Sequence, residues 1–201
     1  EFLLPPVPER MSACINRLGI VRPYMLYVGN LQPRKNVAGL LRSFVEARER
    51  ARFEHRLLIV GQQGWRCGAQ MRALHDAEAA GHAIHAGYVD DADLPALYSM
   101  SALLVQWSLY EGVGLPPLEA MACGTPTIVS DGGALAELAG QAAEIVPLPD
   151  PEALADGILR LLRDEMRRKQ IAKDGARLAA RWTWPDHDRR VAGLYKEASG
   201  G

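Results

Sequence analysis

The chain has 201 residues, which is long enough for one domain with a sizeable hydrophobic core. Its hydrophobic content of 48% and charged content of 23% are ordinary for a globular protein. Its net charge of −1 creates no overall electrostatic field that would favour nucleic acid or a membrane surface. No apolar run approaches membrane-spanning length, and no basic-then-apolar signal segment occurs. The three cysteines lack C-x-x-C spacing, which favours a reducing compartment and argues against structural zinc.

The two ends of the chain differ in composition from its middle. The chain begins with Glu1 rather than Met, and the stretch that follows is rich in proline. We therefore expect a piece of a longer protein in which residues 1–19 form a linker or N-terminal extension. Residues 20–198 are expected to form the folded domain, and residues 199–201 a flexible tail.

Six short apolar runs alternate with helical patterns along the chain. In chain order, the predicted strands are Tyr24–Val28, Arg56–Val60, Ala83–Ala86, Ala102–Gln106, Thr127–Ser130 and Glu144–Val146. Eight helices are predicted between and after these strands. The first begins after Asn36, the next two cover about Ala69–Ala80 and Asp93–Met100, and the fourth begins with Pro116 and Pro117 and ends at Gly124. The others cover Ala134–Leu138, a segment that begins at Asp150, about Asp164–Arg181, and, after a break at Trp182–Pro185, a last segment that ends at about Ala198. This alternation predicts an α/β fold with a Rossmann-like, doubly wound parallel sheet of about six strands.

Two of the predicted helices have clear starting signals. Asn36 is a candidate N-cap, and an apolar stripe follows it at Val37, Leu40, Leu41, Phe44 and Val45. The sequence from Asp150 to Glu152 supplies a cap, a proline at the first helical position and an acidic first turn.

The most informative segment follows the fourth predicted strand, where Glu111 and Glu119 flank a glycine-rich turn. Such a strand-to-helix turn is where an open parallel sheet binds ligands. Gly112 and Gly114 allow backbone N–H groups to approach a ligand closely, and the N-terminus of the next helix favours an anion. A carboxylate in this loop accepts hydrogen bonds from hydroxyl groups. A site that suits both a phosphate group and hydroxyl groups predicts a nucleotide sugar as the ligand.

This segment resembles the retaining glycosyltransferases of family 4, which have the GT-B fold. A Glu-x7-Glu spacing alone would be weak, but further segments occur in the order typical of that family. They are Tyr27–Asn36, Leu57–Gly61, Gly87–Val89, Leu97–Tyr98, Ser108–Gly112 and Pro117–Pro126. The resemblance covers residues 20–195. It implies that the chain is the C-terminal, donor-binding half of such an enzyme, and one of mannosyltransferase type.

The resemblance implies a role for each matched residue. Arg34 and Lys35 would bind the donor diphosphate and stabilise charge on the leaving group, in place of the metal used by other transferases. Glu111 would contact the transferred sugar and act with these two cations in catalysis, and Glu119 would hold the ribose hydroxyls. The other expected donor contacts, many of them through backbone groups, are Gly29, Gly61, Tyr88, Val89, Gly112, Val113, Gly114 and Leu115.

Structural roles are the alternatives for several of these positions. Arg34 and Lys35 also suit a solvated loop. Glu119 also suits an acidic first-turn residue that stabilises the helix dipole. Tyr88 also suits packing at a strand end, and Trp65 is expected to cover the core rather than line a pocket.

Other kinds of site are disfavoured by the residues. A glycosidase acid/base pair at Glu111 and Glu119 would not explain a loop suited to phosphate. No P-loop pattern is present, and no G-x-G-x-x-G follows the first strand. The five histidines show no metal spacing. We therefore expect no metal and no cofactor, with the nucleotide sugar as substrate.

The expected activity is metal-independent, retaining transfer of a hexose from a nucleoside diphosphate to a glycan or lipid-linked acceptor. GDP-mannose is favoured because Pro33–Asn36 most resembles mannosyl- and rhamnosyltransferase-like members. Since the N-terminal acceptor domain is absent, the isolated chain should bind donor weakly and transfer little. A nucleotide-sugar binding module without catalysis and a sugar-nucleotide epimerase are alternatives. The expected location is cytoplasmic, or peripheral at the inner membrane face through the full-length protein, with no nucleic-acid partner.

Some positions depart from the family pattern. Gln106 and Trp107 stand where the family often has an apolar residue and proline, and Ala136 stands where proline is frequent. Trp182 and Trp184 lie at the predicted helix break, and an apolar pair in this place is a candidate for contact with the missing domain, although the sequence alone does not assign it that role.

Overall fold

A computed structural model describes residues 8–199 as an open sheet in which six parallel strands pair in the order β3-β2-β1-β4-β5-β6. The strands are β1 (Tyr24–Val28), β2 (Arg56–Val60), β3 (Ala83–Gly87), β4 (Leu104–Gln106), β5 (Thr127–Ser130) and β6 (Glu144–Val146). Every paired neighbour runs parallel, so helical crossovers connect the strands and cover both faces. The predicted α/β class and doubly wound sheet are confirmed.

Nine α-helices and two short 3₁₀ turns occur within residues 8–199. The helices are α1 (Pro8–Arg17), α2 (Val37–Ala51), α3 (Gly68–Ala79), α4 (Leu94–Met100), α5 (Leu115–Ala122), α6 (Ala134–Ala139), α7 (Pro151–Arg163), α8 (Glu165–Ala179) and α9 (Trp184–Ala198), and the 3₁₀ turns are Pro33–Lys35 and Gly140–Ala142. Within this range, no helix combines the length and apolar character needed to cross a membrane.

The sheet separates two hydrophobic clusters because successive strand residues point to opposite faces. On β2, Leu57 and Ile59 pack in the cluster that contains α2 and α7. Leu58 and Val60 pack in the cluster on the opposite face, with α1 and α4. All four side chains are buried, which explains why β2 is a nearly continuous apolar run rather than an alternating one.

The N-terminal segment is more ordered than the sequence suggested. Part of the expected linker, residues 8–17, is helix α1, and its residues Cys14 and Ile15 are buried in the same cluster as α4. Arg17 also forms an ion pair with Asp93 at the start of α4. Of the segment expected to be a linker or N-terminal extension, residues 8–17 form a packed helix, which was not predicted from the sequence, whereas residues 1–7 lie outside the described part.

The element boundaries differ from the predictions mainly at the ends. Strand β4 begins at Leu104 rather than Ala102, and β3 extends to Gly87. The break after α8 is present, but α9 already begins at Trp184 because proline fits a first helical turn. Asp150 caps α7 as predicted, with its Oδ1 accepting from the Ala153 N–H at 2.9 Å. Asn36 occupies the predicted N-cap position of α2, but its side chain makes no capping bond.

Candidate functional site

The strand order places the candidate site beside β1, which lies between β2 and β4. From β1 the chain builds outward through β2 and β3, and from β4 it builds in the opposite direction through β5 and β6. The strand order therefore reverses between β1 and β4, and ligands bind outside the carboxyl ends of the strands at such a switch point. The loops that follow these two strands contact each other directly. The Leu109 N–H donates to the Arg34 carbonyl at 2.7 Å.

The β1 loop presents two cations at this edge. Pro33–Lys35 forms a 3₁₀ turn that ends when Asn36 adopts a left-handed conformation, with its N–H bonded to the Pro33 carbonyl. This compact turn sets Arg34 and Lys35 between the end of β1 and the start of α2. The Lys35 side chain is only 12% exposed, whereas that of Arg34 is 45% exposed.

Both cations meet the carboxylate of Glu111, which belongs to the loop after β4. Lys35 Nζ lies 2.5 Å from Glu111 Oε1, and Arg34 donates to Oε2 at 2.8 Å. Arg34 also donates to the Tyr110 carbonyl at 3.0 Å, so it ties the two loops together. The structure thus brings together the three residues that the sequence named as catalytic, although they are about 76 positions apart in the chain.

Glu111 is nearly enclosed, with 7% of its side chain exposed. Burial by itself raises the pKa of this carboxyl, but hydrogen bonds from Lys35, Arg34 and Ser108 outweigh burial and lower the pKa below its ordinary value. Glu111 is therefore ionised at neutral pH. A buried charge of this kind is stable only because its partners are charged or hydrogen-bonded.

Glu119 lies in a different environment on α5. Its Oε2 accepts a hydrogen bond from the hydroxyl of the fully buried Tyr98 on α4, at 2.7 Å. Burial raises the pKa of Glu119, the hydroxyl of Tyr98 partly opposes that rise, and the charge of Asp91 adds to it. The alternative role for Glu119, that of an acidic residue in the first turn of the helix, is wrong, because the first turn of α5 has no acidic residue.

The glycine-rich loop between the two glutamates is open at one glycine and packed at the other. A Cβ at Gly112 would meet no atom within 4 Å, which leaves the backbone accessible. Gly114 has a φ of 93°, and a Cβ there would lie 2.5 Å from Leu135, so glycine is required for both reasons. Val113 and Leu115 are exposed on either side of it.

The remaining predicted donor contacts lie at the ends of β1, β2 and β3. A Cβ at Gly61 would lie 2.1 Å from the Gly29 carbonyl oxygen, so these two glycines allow the first two loops to pack closely. Tyr88 is 64% exposed, which contradicts a packing role for its ring, while Val89 is buried. Trp65 is 58% exposed and contacts the Arg66 guanidinium, so the expectation that it covers the core was wrong.

Two surface depressions lie away from this edge. One, of about 470 Å³, is lined by residues before β2 and β4 and by the α7–α8 corner, including His55, Leu159 and Arg168. The other, of about 660 Å³, lies between α2 and α3. Neither of these two is lined by Glu111 or Glu119. Beside Glu111, the side chain of Arg34 and the backbone at Gly112 are exposed, so this edge of the sheet is open to solvent.

Sequence reasoning missed three residues that hold the two glutamates. Gln106 and Ser108 contact Glu111, and Tyr98 contacts Glu119. In the sequence, Tyr98 is recognisable only as part of a family motif, and Gln106 only as a strand end that departs from the family pattern. A glutamine at the end of an otherwise apolar strand was the available signal, because a buried amide requires polar partners.

An open parallel sheet whose switch point presents two cations and a carboxylate defines an α/β protein with an edge suited to an anionic ligand. Comparison with known families is more specific. The profile of the family described as "Glycosyl transferases group 1" matches residues 17–178. The chain belongs to this family, whose fold is GT-B, and the resemblance seen in the sequence is confirmed.

Individual relatives support the same assignment. The chain is 34% identical over 173 residues to O-antigen chain mannosyltransferase B of Escherichia coli, covering 86% of this chain and 45% of that protein. It is 28% identical over 180 residues to the serotype-specific mannosyltransferase WbdA of Escherichia coli, covering 88% of this chain and 22% of that protein. The solved sucrose-phosphate synthase from Thermosynechococcus elongatus superposes with a TM-score of 0.78 at 27% identity, covering 98% of this chain and 50% of that one. The chain thus spans half or less of the length of these relatives.

Proposed function

We propose that this chain is the donor-binding domain of a retaining, metal-independent glycosyltransferase that uses a nucleoside-diphosphate sugar. One observation carries the proposal: Glu111 is held between Arg34 and Lys35 at the switch point of the sheet. The same two cations can take a diphosphate, which offers more negative charge than one carboxylate. As the bond to the sugar breaks, they stabilise the charge that develops on the departing diphosphate.

In this proposal, the two carboxylates serve different parts of the donor. Glu111 accepts hydrogen bonds from hydroxyls of the transferred sugar, because it stays ionised and lies beside the diphosphate-binding cations. Glu119, held by Tyr98 on a neighbouring helix, accepts hydrogen bonds from the ribose hydroxyls. The exposed backbone at Gly112 and the exposed ring of Tyr88 complete the donor contacts at the same edge.

Mannose is the proposed sugar, and GDP-mannose the proposed donor. The support comes from two relatives named as mannosyltransferases. The acceptor is proposed to be a glycan or a lipid-linked glycan. Because the carboxylate site is open and the chain covers less than half of the first relative, the acceptor would bind to a second domain that closes over the donor. The proposed location is the cytoplasm or the inner face of the membrane.

The first test is calorimetric titration of this chain with GDP, UDP, dTDP and ADP, each with and without magnesium. We expect GDP to bind in both conditions, and we expect binding to be lost in a variant with alanine at both Arg34 and Lys35. Glu137→Ala, a change of an exposed glutamate on α6, is the matched control and should bind normally. Magnesium-dependent binding would contradict metal independence, and unchanged binding by the double variant would contradict the site.

The second test separates the transferase from its alternatives and uses the full-length protein. Incubation with GDP-mannose and a mannose-terminated acceptor in the presence of EDTA should give a product whose new bond keeps the α configuration of the donor. Proton NMR of the anomeric signals measures this directly. Donor binding without transfer would favour a binding module, a new sugar nucleotide without acceptor would indicate an epimerase, and a β-linked product would contradict retention.

A further inference from the structure

Gln106 is a polar side chain in an apolar position. It ends strand β4, is 0% exposed, and follows the fully buried Leu104 and Val105. Its Oε1 has no hydrogen-bond partner among the described residues. A buried amide with an unused acceptor is less favourable than an apolar side chain of the same size, so packing alone does not explain a glutamine here.

The other end of the amide has clear partners. Gln106 Nε2 donates to Glu111 Oε1 and to Ser108 Oγ, both at 3.2 Å. Ser108 Oγ in turn donates to Glu111 Oε1 at 2.8 Å, and the Ser108 carbonyl accepts from Ser130 Oγ at 2.6 Å. Because an ionised carboxylate only accepts hydrogen bonds, the NH₂ group must face it, and the amide orientation follows.

The donors around Glu111 are unevenly divided between its two oxygens. Oε1 accepts from Lys35, Ser108 and Gln106, of which the last two are fully buried. Among residues 8–199, Oε2 accepts only from Arg34, whose side chain is the exposed member of the cluster. Oε1 therefore has three protein donors and Oε2 has one, which leaves Oε2 with the greater capacity to accept from a hydroxyl of a ligand.

We propose that Gln106 is a positioning residue for the transfer reaction: together with Ser108 it fixes Oε1 of Glu111 so that Oε2 faces the transferred sugar. This inference rests on the proposed function, because it needs a sugar beside Glu111. It does not make Gln106 a ligand of the donor. Without Gln106 the carboxylate keeps its charge and its cations but loses a constraint on its orientation, and small misplacements of a reacting group are costly for catalysis.

The test compares Gln106→Met with the wild-type full-length protein. Methionine preserves length and volume but has no NH₂ group. We expect kcat with GDP-mannose to fall by about 10- to 100-fold, while the affinity for GDP, measured by calorimetry, changes less than about 2-fold because GDP carries no sugar. Thermal unfolding should occur at the same or a higher temperature, since the unpartnered Oε1 is removed. Ser43→Ala, a deletion of a buried hydroxyl without a partner on α2, is the control and should leave kcat unchanged.

A double-mutant cycle with Glu111→Gln identifies the route of the effect. If Gln106 acts through Glu111, adding Gln106→Met to Glu111→Gln should reduce kcat little further. An equal loss in both backgrounds, or an unchanged kcat in the single variant, would overturn the inference. Failure of the wild-type protein to bind any nucleoside diphosphate would instead overturn the proposed function, so the two failures are distinguishable.

If Gln106→Met does not fold, Gln106→Glu provides a second test. The added carboxyl can donate to Glu111 when protonated but repels it when ionised. We therefore expect kcat to fall more steeply at high pH than in the wild type and to recover toward low pH. A uniform loss at all pH values would indicate a structural role only and would contradict the proposal.

Discussion

The two glutamates of the Glu-x7-Glu pattern have opposite electrostatic environments. Glu111 is surrounded by two cations, a hydroxyl and an amide, and its pKa is lowered. Glu119 accepts from a neutral donor, the hydroxyl of Tyr98, and its pKa is raised mainly because it is buried. The Glu-x7-Glu pattern in the sequence therefore does not reveal that its two carboxyl groups have pKa values shifted in opposite directions.

The difference indicates that the environment of Glu111 keeps its carboxylate charged. Glu119 accepts a hydrogen bond from a neutral hydroxyl, which a ligand hydroxyl could supplement or replace. Glu111 is locked into an ion-pair cluster that joins two loops, so it suits the reacting end of the donor. Glu119 has spare acceptor capacity toward solvent and suits recognition of hydroxyl groups. The following predictions test this contrast.

The largest effect is expected for Glu111→Ala. Loss of the carboxylate leaves Arg34 and Lys35 without their shared ion-pair partner and removes the proposed sugar contact, so kcat of the full-length protein should fall at least about 100-fold. Glu119→Ala should instead act mainly on the KM for donor. Initial rates over a range of GDP-mannose concentrations separate the two parameters, and similar kcat losses for both variants would remove the contrast.

Lys35 should contribute more to stability than Arg34. Lys35→Met leaves a nearly enclosed Glu111 short of a charged partner, and we expect the free energy of unfolding to fall by about 1–3 kcal/mol. Arg34→Met removes a half-exposed partner that solvent screens, and its cost should stay below about 1 kcal/mol. Urea unfolding of both variants at pH 7 measures the difference, and a larger cost for Arg34→Met would contradict this order.

Tyr98→Phe tests the partner of Glu119. The ring remains packed while the hydroxyl that lowers the pKa of Glu119 is lost, so that pKa should rise further. We expect GDP affinity at neutral pH to fall about 3- to 10-fold. The decline of affinity toward acid should begin at a higher pH than in the wild type. Calorimetry between pH 5 and 8 measures both effects, and Tyr195→Phe on the exposed face of α9 is the control.

The smallest effect concerns stability: removing the charge of Glu111 and removing the charge of Glu119 should change the free energy of unfolding in opposite directions. Because the pKa of Glu111 is lowered in the fold, its stabilisation is present above pH 4.5 and is lost as pH falls through the lower folded value. Because the pKa of Glu119 is raised, its ionised form weakens the fold at neutral pH, and protonation relieves that penalty.

Glu111→Gln should therefore destabilise the protein at pH 7, whereas Glu119→Gln should stabilise it by less than about 1 kcal/mol. Both differences from the wild type should shrink as pH falls, that of Glu119→Gln by pH 4.5 and that of Glu111→Gln at lower pH. Unfolding curves at three pH values suffice as the measurement. Destabilisation by Glu119→Gln at neutral pH would show that its charge is favourable in the fold.

The sequence predicted the fold class and most elements because they depend on local patterns. Short continuous apolar runs such as Tyr24–Val28 are typical of strands buried on both faces, and helical patterns between them favour parallel pairing. Helix α1, which follows a proline-rich start, was not predicted from the sequence. This helix and the turn after it nevertheless carry apolar residues at helical spacing, namely Met11, Cys14, Ile15 and Leu18. That stripe was the signal that could have identified the helix.

By itself, the sequence determined that Arg34, Lys35 and Glu111 lie in loops after strands, and the family resemblance joined them in one role. Only the tertiary structure decided that β1 pairs with β4, since strand order depends on long-range packing that no local pattern encodes. That pairing sets the charge of Glu111 against its two cations. The buried partners have a shorter range: Gln106 contacts Glu111 from five positions away along the chain, and Tyr98 contacts Glu119 from the neighbouring helix α4. These contacts depend on the loop conformation and the helix packing, which a local sequence pattern does not encode.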